Sequence, residues 1–495
     1  MRRGKLLVAN RGEIAVRLFR AAREMGLQTV AVYSDADRES PHVSAADEAF
    51  RLGPAPARQS YLDSDRLLEV ARRCGATLLA PGYGFLAENA AFARACGSAG
   101  VTFVGPPPEA IEAMGSKTRA RARMVAAGVP VVPGMERAAS LDDLRAFASA
   151  QGYPLLLKAS AGGGGKGMRV VRSEGELAGA FERASSEAAS FFGDAAVYAE
   201  KLVEGARHIE VQVVFDGRSH GIAVGERECS IQRRHQKVVE ECPSPVVDRR
   251  LRAAIEEAAL AAARAVGYVS CGTVEFLLAP EAQFFFLEMN TRLQVEHTVT
   301  EEVYGVDLAR EMISIAQGEA LSLTALAPRG HAIECRIYAE DAARNFAPSP
   351  GRISSLSLPL GPGVRHDLGV EAGTVVPIDY DPMLGKLIVW APSRAIAIAR
   401  LSRALSEYDI SGIETSLPFF RWLVRQKEFQ EAALDTGWLD RRLAAGLTLP
   451  AGDGEERDAV VAAAVLALQE ERKFAAPPPG GFSRWKADAR ARGLR

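Results

Sequence analysis

The sequence predicts a mixed α/β and α+β protein built in several parts, and three observations carry that expectation. The first part alternates strand and helix signals, the pattern of a parallel sheet with helices on its faces. The middle holds two apolar, strand-like runs joined by a turn signal, a hairpin. Around Gly330 the pattern changes to short strands with Gly and Pro turns, a small β-rich module. A chain of 495 residues has room for about three domains.

In order along the chain, Lys5–Ala9 reads as a strand, Glu13–Met25 as a helix stopped by Gly26, and Thr29–Tyr33 as a strand. Thr77–Ala80 and Val101–Val104 are further strands flanking a helix at Glu88–Cys96. Pro106-Pro107-Pro108 marks a break, Ser116–Ala127 a helix, and Pro130 to Pro133 a linker. A strand-rich segment spans about Pro154 to Val214 with one helix, Glu174–Ala189. The later module reads as strands Ala332–Tyr338, Gly351–Ser355, Gly363–Leu368, Gly373–Ile378 and Leu384–Trp390, with helices Arg394–Leu405 and Ser416–Val424. Asp458–Lys473 is a helix candidate, followed by Pro477-Pro478-Pro479-Gly480-Gly481, a tether or the stump of a lost domain.

Composition excludes several classes. Hydrophobic residues make up 48% and charged residues 25%, and the net charge of −2 gives no reason to expect nucleic acid. No apolar run reaches membrane-spanning length. Asn10-Arg11-Gly12-Glu13 ends the first apolar run too early for a signal peptide. Six scattered cysteines without a Cys-x-x-Cys pair argue against zinc and against a disulfide framework, and fit a reducing cytosol.

The most informative stretch is the hairpin. Gly272 to Leu278 and Phe284 to Asn290 flank the turn Pro280-Glu281-Ala282-Gln283. Pairing Ala279 with Phe284 puts Glu275 directly opposite Glu288, with Asn290 on the same face. If the extended run continues, Arg292, Gln294 and Glu296 follow on that side. Opposed carboxylates repel, and a hard, oxygen-only cluster suits Mg²⁺ shared with phosphate. The competing reading is the solvated face of an edge hairpin.

Other residues point to phosphate. Leu155 to Ala159, then Gly162, Gly163, Gly164 and Gly165, then Met168 to Val171 read as strand, glycine loop, strand, with Lys158 and Lys166 flanking the glycines. Backbone N–H groups approach phosphate closely there. The loop fits neither the dinucleotide fingerprint, since a strand follows it, nor the Walker A pattern. It reads as a flexible lid between antiparallel strands. Lys117 opens a helix, where anions are favoured, although a lone lysine is more often a surface residue. Tyr198 to Val203 is a strand end whose backbone can meet an adenine edge. His208 alone suits a structural role. Gln232 to Lys237 packs three cations and a histidine into six residues, a solvated run or one that points into a cleft and holds an anion.

Together these motifs resemble the biotin carboxylase family of the ATP-grasp superfamily, nearly continuously from Lys5 to about Leu443. The signatures are Asn10 to Ala15, Pro81 to Asn89, Gln232 to Lys237, and Glu288 to His297. The resemblance implies a Rossmann-like N-terminal domain at 1–113 and an ATP-grasp core at 114–329 with a mobile glycine-rich lid near 131–203. It further implies a β-rich biotin carboxylase C-terminal domain at 330–447, with a helical, Pro/Gly tail at 448–495. It implies ATP- and Mg²⁺- (or Mn²⁺-) dependent phosphorylation of bicarbonate to carboxyphosphate, which yields CO₂ to the ureido nitrogen of biotin. On that resemblance Lys117, Lys158 and Gly162 to Gly165 hold the ATP phosphates. Glu200, Lys201 and Val203 border adenine, His208 and Gln232 lie on the ribose side, and His235 lies near the terminal phosphate. Glu275, Glu288 and Asn290 hold the metal. Lys237, Arg292, Gln294 and the Val295 backbone bind bicarbonate, Glu296 is the general base, and Arg336 stabilises the biotin enolate. Cations are expected to outnumber carboxylates around the bicarbonate.

Two departures are Ala80, where the family often has His, and Ala161, which replaces a glycine at the loop entrance. No Met-Lys-Met occurs, so the expectation is a separate biotin carboxyl carrier protein and a separate carboxyltransferase, the arrangement of an acyl-CoA carboxylase. A cytoplasmic homodimer completes the expectation. The alternatives are another ATP-grasp carboxylate–amine ligase and a non-catalytic assembly protein.

Overall fold

In the computed structural model, residues 4–135, 139–160, 168–218, 220–324, 326–446, 449, 461–468 and 491 are described. The chain divides into two units, 1–447 and 448–495. In the second unit residues 461–468 are helical and expose Val461, Val465, Leu466 and Leu468; the rest of the expected Asp458–Lys473 helix lies outside the described residues. Among the described residues no helix is long and apolar enough to cross a membrane.

The first unit opens on a parallel sheet ordered β3-β2-β1-β4-β5: β1 (Lys5–Val8), β2 (Gln28–Ser34), β3 (Glu48–Gly53), β4 (Leu78–Ala80) and β5 (Thr102–Phe103). Its mostly buried central strands β2, β1 and β4 and the amphipathic helix Gly12–Glu24 follow the expected alternation. The strand β3 and the helix Ser64–Cys74 were not read from the sequence. That helix carries ordinary signals: Asp63 accepts from the Arg66 amide at its start, and Gly75 ends it in the left-handed region at φ 69°.

A small antiparallel sheet follows, with β6 (Leu155–Ala159) between β7 (Arg169–Val171) and β8 (Val197–Lys201). Helices Leu141–Gln151, also not read from the sequence, and Glu174–Phe192 cover it through Leu144, Leu177, Ala180 and Ala184. The strands flanking the glycine loop are therefore antiparallel partners, as expected. Gly162, Gly163, Gly164 and Gly165, with Ala161 and Lys166, lie outside the described residues.

The largest sheet has eight antiparallel strands. It contains β9 (Arg207–Phe215), β10 (Gly221–Arg233), β11 (Gln236–Cys242), β12 (Ser270–Leu278), β13 (Phe284–Asn290) and β14 (His331–Tyr338), ordered β13-β12-β9-β10-β11-β14. It continues through strands Met383–Ala391 and Val364–Leu368. One face packs on helix Arg249–Arg264 through Ile255, Ala259 and Ala262. The other face carries the polar residues of the site beside an apolar patch, Val214, Cys271 and Ala332, that packs on helices His297–Tyr304 and Leu308–Ala316.

Candidate functional site

The hairpin β12–β13 differs from the expected register near its turn. Leu278, not Ala279, faces Phe284. The Ala279 amide bonds the Gln283 carbonyl at 2.8 Å and Ala282 sits at φ 61°, the three-residue loop that ends in a left-handed residue. The register shifts by one further along, and Glu275 does face Glu288. Packing shows where the extra residue goes. Phe286 and Met289, three apart, both enter the apolar core, which leaves Leu287 and Glu288 both on the pocket side.

The carboxylate row is longer than the sequence reading found. Glu288 faces Glu275, Glu275 faces Glu210 on β9, and Glu210 faces Arg227 on β10. Four strands thus carry three carboxylates and one guanidinium in line. Arg227 is fully buried and gives Glu210 a 2.5 Å ion pair, with Gln212, Thr273 and Thr300 taking its other N–H groups. Glu210 and Arg227 were missed. The signal for Glu210 was present in Arg207 to Gln212, where His208, Glu210 and Gln212 alternate with Ile209 and Val211.

Lys237 reaches over this row. Its Nζ bonds Glu275 at 2.7 Å, Glu296 at 2.7 Å and Gln294 at 3.2 Å, and also contacts Glu210. Burial disfavours its charge, but the three carboxylates raise its pKa well above the usual lysine value. The same cations offset burial at Glu275 and Glu210, whose carboxyls stay far below the usual range, the former through Lys237 and His208, the latter through Arg227 and Lys237. Burial works against the His208 imidazolium, yet Glu275, at 3.1 Å from Nε2, carries it up to about 9.

Glu288 stands differently. Among the described residues it has no hydrogen bond or ion pair. Burial and the Glu275 charge raise its pKa, opposed at longer range by Lys117. Burial in turn lowers Lys117, the first residue of helix Lys117–Ala126. A carboxylate left uncompensated at the end of an acidic row fits a bound divalent cation. Asn290 donates Nδ2 to Glu275 at 2.7 Å and completes the expected trio. The cluster His208–Glu210–Glu275 already holds Lys237 and a charged imidazole, so a metal is better served at Glu288.

The extended run does not continue past Asn290 as expected. Strand β13 ends there, and Glu296 instead caps helix His297–Tyr304. Arg292, Gln294 and Glu296 reach the pocket from the intervening turn. Glu296 bonds Lys237 and, at 3.0 Å, Arg336 from β14. Lys237 holds Glu296 below its ordinary value against burial. Arg336 also donates to Glu240 at 2.6 Å. The Val295 carbonyl accepts at 2.6 Å from Lys386, a fully buried lysine that lies 3.4 Å from Glu13. Arg292 donates to Glu88 at 3.0 Å and Asn290 at 2.9 Å, and Glu88 also accepts from the Thr291 amide. Three distant sequence signatures, around Glu13, Glu88 and Glu296, thus meet. Cations do not outnumber carboxylates here: each of Lys237, Arg292 and Arg336 is already paired, because a dry pocket cannot hold bare cations any better than bare anions.

At the opposite end, Lys158 pairs with Glu200 at 2.5 Å. The Lys201 ammonium turns outward to the carbonyls of Gln151, Gly152 and Tyr153, so that residue offers the pocket its backbone. Gln232 bonds His208 Nδ1 at 3.0 Å. The cationic run Gln232 to Lys237 spans the end of β10, a two-residue turn with Arg234 and His235 at φ 51° and 65°, and the start of β11; Arg234, His235 and Gln236 are exposed, while Gln232 and Lys237 line the pocket. A cavity of about 450 Å³ joins the two ends. It is lined by Lys117, Lys158, Glu200, Lys201, Val203, His208, Gln232 and His235, and by Lys237, Glu275, Glu288, Asn290, Arg292, Gln294, Val295, Glu296 and Arg336.

Comparison with known proteins agrees with this geometry. Three family models match: "Biotin carboxylase, N-terminal domain" over residues 2–111, "Carbamoyl-phosphate synthase L chain, ATP binding domain" over 116–324, and "Biotin carboxylase C-terminal domain" over 334–441. A biotin carboxylase of Halalkalibacterium halodurans is 51% identical over 442 residues, 89% of this chain and 98% of that relative. A pyruvate carboxylase subunit of Methanothermobacter thermautotrophicus is 50% identical over 88% of this chain and 89% of its own length. The biotin carboxylase domain dimer of Hydrogenobacter thermophilus 2-oxoglutarate carboxylase, solved with MgADP, ADP and bicarbonate, superposes with a TM-score of 0.86 at 42% identity, covering 90% of this chain and 99% of that one. With the polar sheet face, the paired cations and these matches in agreement, the chain belongs to the biotin carboxylase family.

Proposed function

We propose that this enzyme uses ATP to phosphorylate bicarbonate and passes the resulting carboxyl group to biotin on a separate carrier protein. The observation that carries this reading is the convergence of Lys237, Glu296 and Arg336 beside the acidic row. A small anion entering there would take over the Lys237 hydrogen bonds, with Arg292, Gln294 and the Val295 backbone around it. Released from Lys237, Glu296 becomes a stronger base and can remove the bicarbonate proton. The anionic oxygen attacks the terminal phosphorus, ADP leaves, and carboxyphosphate forms. Carboxyphosphate then splits into CO₂ and inorganic phosphate, the phosphate takes the ureido N–H proton of biotin, and Arg336 offsets the charge of the enolate that accepts the CO₂.

Lys117, Lys158 and Gly162 to Gly165 are assigned to the ATP phosphates, with His235 near the terminal one. Glu200, Lys201 and Val203 are assigned to the adenine edge, and His208 and Gln232 to the ribose side. Glu275, Glu288 and Asn290 would hold Mg²⁺ or Mn²⁺, which screens charge on the phosphates. The chemistry is positioning and charge neutralisation.

We further infer domains at 1–113, 114–329, 330–447 and 448–495, a homodimer, and a carboxyltransferase partner of the acyl-CoA type. The six cysteines, all free and buried, support a reducing, cytoplasmic setting. ATP turnover by the purified protein should require bicarbonate and Mg²⁺ and rise with free biotin; turnover indifferent to bicarbonate removes the proposal. One relative carries a pyruvate carboxylase name, so the acceptor is decided by reconstitution. Carboxyl transfer to acetyl-, propionyl- or methylcrotonyl-CoA supports the acyl-CoA reading, and transfer to pyruvate alone overturns it. A carboxylate–amine ligase would consume ATP with an organic acid and an amine, with no effect of biotin.

A further inference from the structure

Behind Arg336 the large sheet holds two carboxyl groups face to face. Glu240 on β11 and Glu334 on β14 are direct cross-strand partners, and both are fully buried. Like charges directly opposed across a strand pair are destabilising, and two carboxyls in a dry site do not both ionise.

The groups around them do not neutralise a double negative charge. Arg336, beside Glu334 on β14, gives Glu240 a 2.6 Å bond but is shared with Glu296. Lys237, on the same strand as Glu240, is engaged by Glu210, Glu275 and Glu296. On the neighbouring strand, Lys386 spends its ammonium on the Val295 carbonyl, Glu13 and Asp367. From helix His297–Tyr304, Thr298 donates to Glu334 Oε2. One oxygen of each carboxyl, Glu240 Oε2 and Glu334 Oε1, is buried without a hydrogen-bond partner. Two such acceptors on facing side chains need a donor that only a proton on one of them supplies. Burial raises both above the ordinary carboxyl range, joined by the Glu296 charge at Glu240 and the Glu240 charge at Glu334, and the opposing pull of Arg336 on both and of Lys386 on Glu334 does not overcome it.

We propose that Glu240 and Glu334 share one proton, and that this proton sets how much of the Arg336 charge is free to face biotin. The link to biotin rests on the role given to Arg336 above. While the proton is held, Arg336 is only partly offset by Glu240. When it leaves to solvent, Glu240 becomes a full anion and cancels the guanidinium. Biotin-dependent turnover then falls on the alkaline side, while bicarbonate-dependent turnover without biotin does not follow it.

Infrared difference spectra of the full chain between neutral and alkaline pH test the pair directly. The expected result is a carbonyl band of a buried carboxylic acid that disappears with rising pH and is missing from Glu240→Gln and Glu334→Gln. No such band in the wild type overturns the shared proton, whatever the variants do. In Glu334→Gln, Glu240 loses the opposing carboxyl that kept it protonated, so the alkaline limb of biotin-dependent turnover should move down by at least about one pH unit, with the biotin-independent rate within about twofold of wild type. An unmoved limb in the folded variant overturns the link to Arg336. The band present without bicarbonate-dependent turnover supports the pair and overturns its assignment to biotin chemistry.

Discussion

Replacing Glu296 by glutamine separates catalysis from architecture at this site. The carboxylate takes one bond from Lys237 at 2.7 Å and one from Arg336 at 3.0 Å. Charge-assisted bonds of this kind contribute about 1.5–3 kcal/mol each. The loss does not strand either cation, because Lys237 keeps Glu210 and Glu275, and Arg336 keeps Glu240. The about 3–5 kcal/mol penalty of an orphaned buried charge is therefore avoided. Glutamine also retains an acceptor oxygen for one of the two. Global stability should fall by about 1–3 kcal/mol at most. Nucleotide affinity should stay near wild type, since the residues assigned to adenine lie at the other end of the cavity. Proton removal is abolished, and general-base catalysis is worth roughly 10²–10⁴-fold, or about 3–5 kcal/mol of barrier. Bicarbonate-dependent ADP release measured beside nucleotide binding and a urea melt reads all three quantities. A folded Glu296→Gln with wild-type turnover refutes the base assignment; a collapse of nucleotide binding refutes the separation of the two ends.

Glu288→Gln removes the repulsion with Glu275, so the metal-free protein should melt at the same temperature or higher, while magnesium–nucleotide affinity falls at least about tenfold; unchanged magnesium dependence counts against this residue as a ligand. His208, raised to about 9, contributes stability that is fully present below about pH 6.5, its unfolded value, and is lost as pH climbs through about 9. The span is worth about 3 kcal/mol, and urea midpoints of wild type and His208→Gln should converge at alkaline pH; parallel pH curves exclude the charged imidazole. Lys386→Met leaves Glu13 without its buried cation, while Asp367 keeps Arg365, and should cost about 3–5 kcal/mol, visible as a lower urea midpoint; a stability loss under about 1 kcal/mol refutes the buried pair.

Local signals carried much of this protein in its sequence. The strand–helix alternation of the first part, the Pro-and-Gly punctuation of the later module, and the pairing of Glu275 with Glu288 all depend on neighbours within a few residues. The hairpin reading reached the right pair through a wrong turn register, because the one-residue shift at Ala279 is undone by the bulge before Glu288. Only core packing of Phe286 and Met289 specifies that bulge.

What the linear chain could not state is which charge answers which. Glu210, Arg227, Lys386, Glu13 and Glu88 are ordinary charged residues until sheet order and domain packing bring them within 3 Å or so of partners tens to hundreds of positions away. Sequence determined the residue types and the secondary structure that could carry phosphate and metal chemistry, since propensity and periodicity are local. The tertiary structure alone decided the row of opposed carboxylates and the pairing of every cation, since compensation of buried charge is a property of three-dimensional proximity.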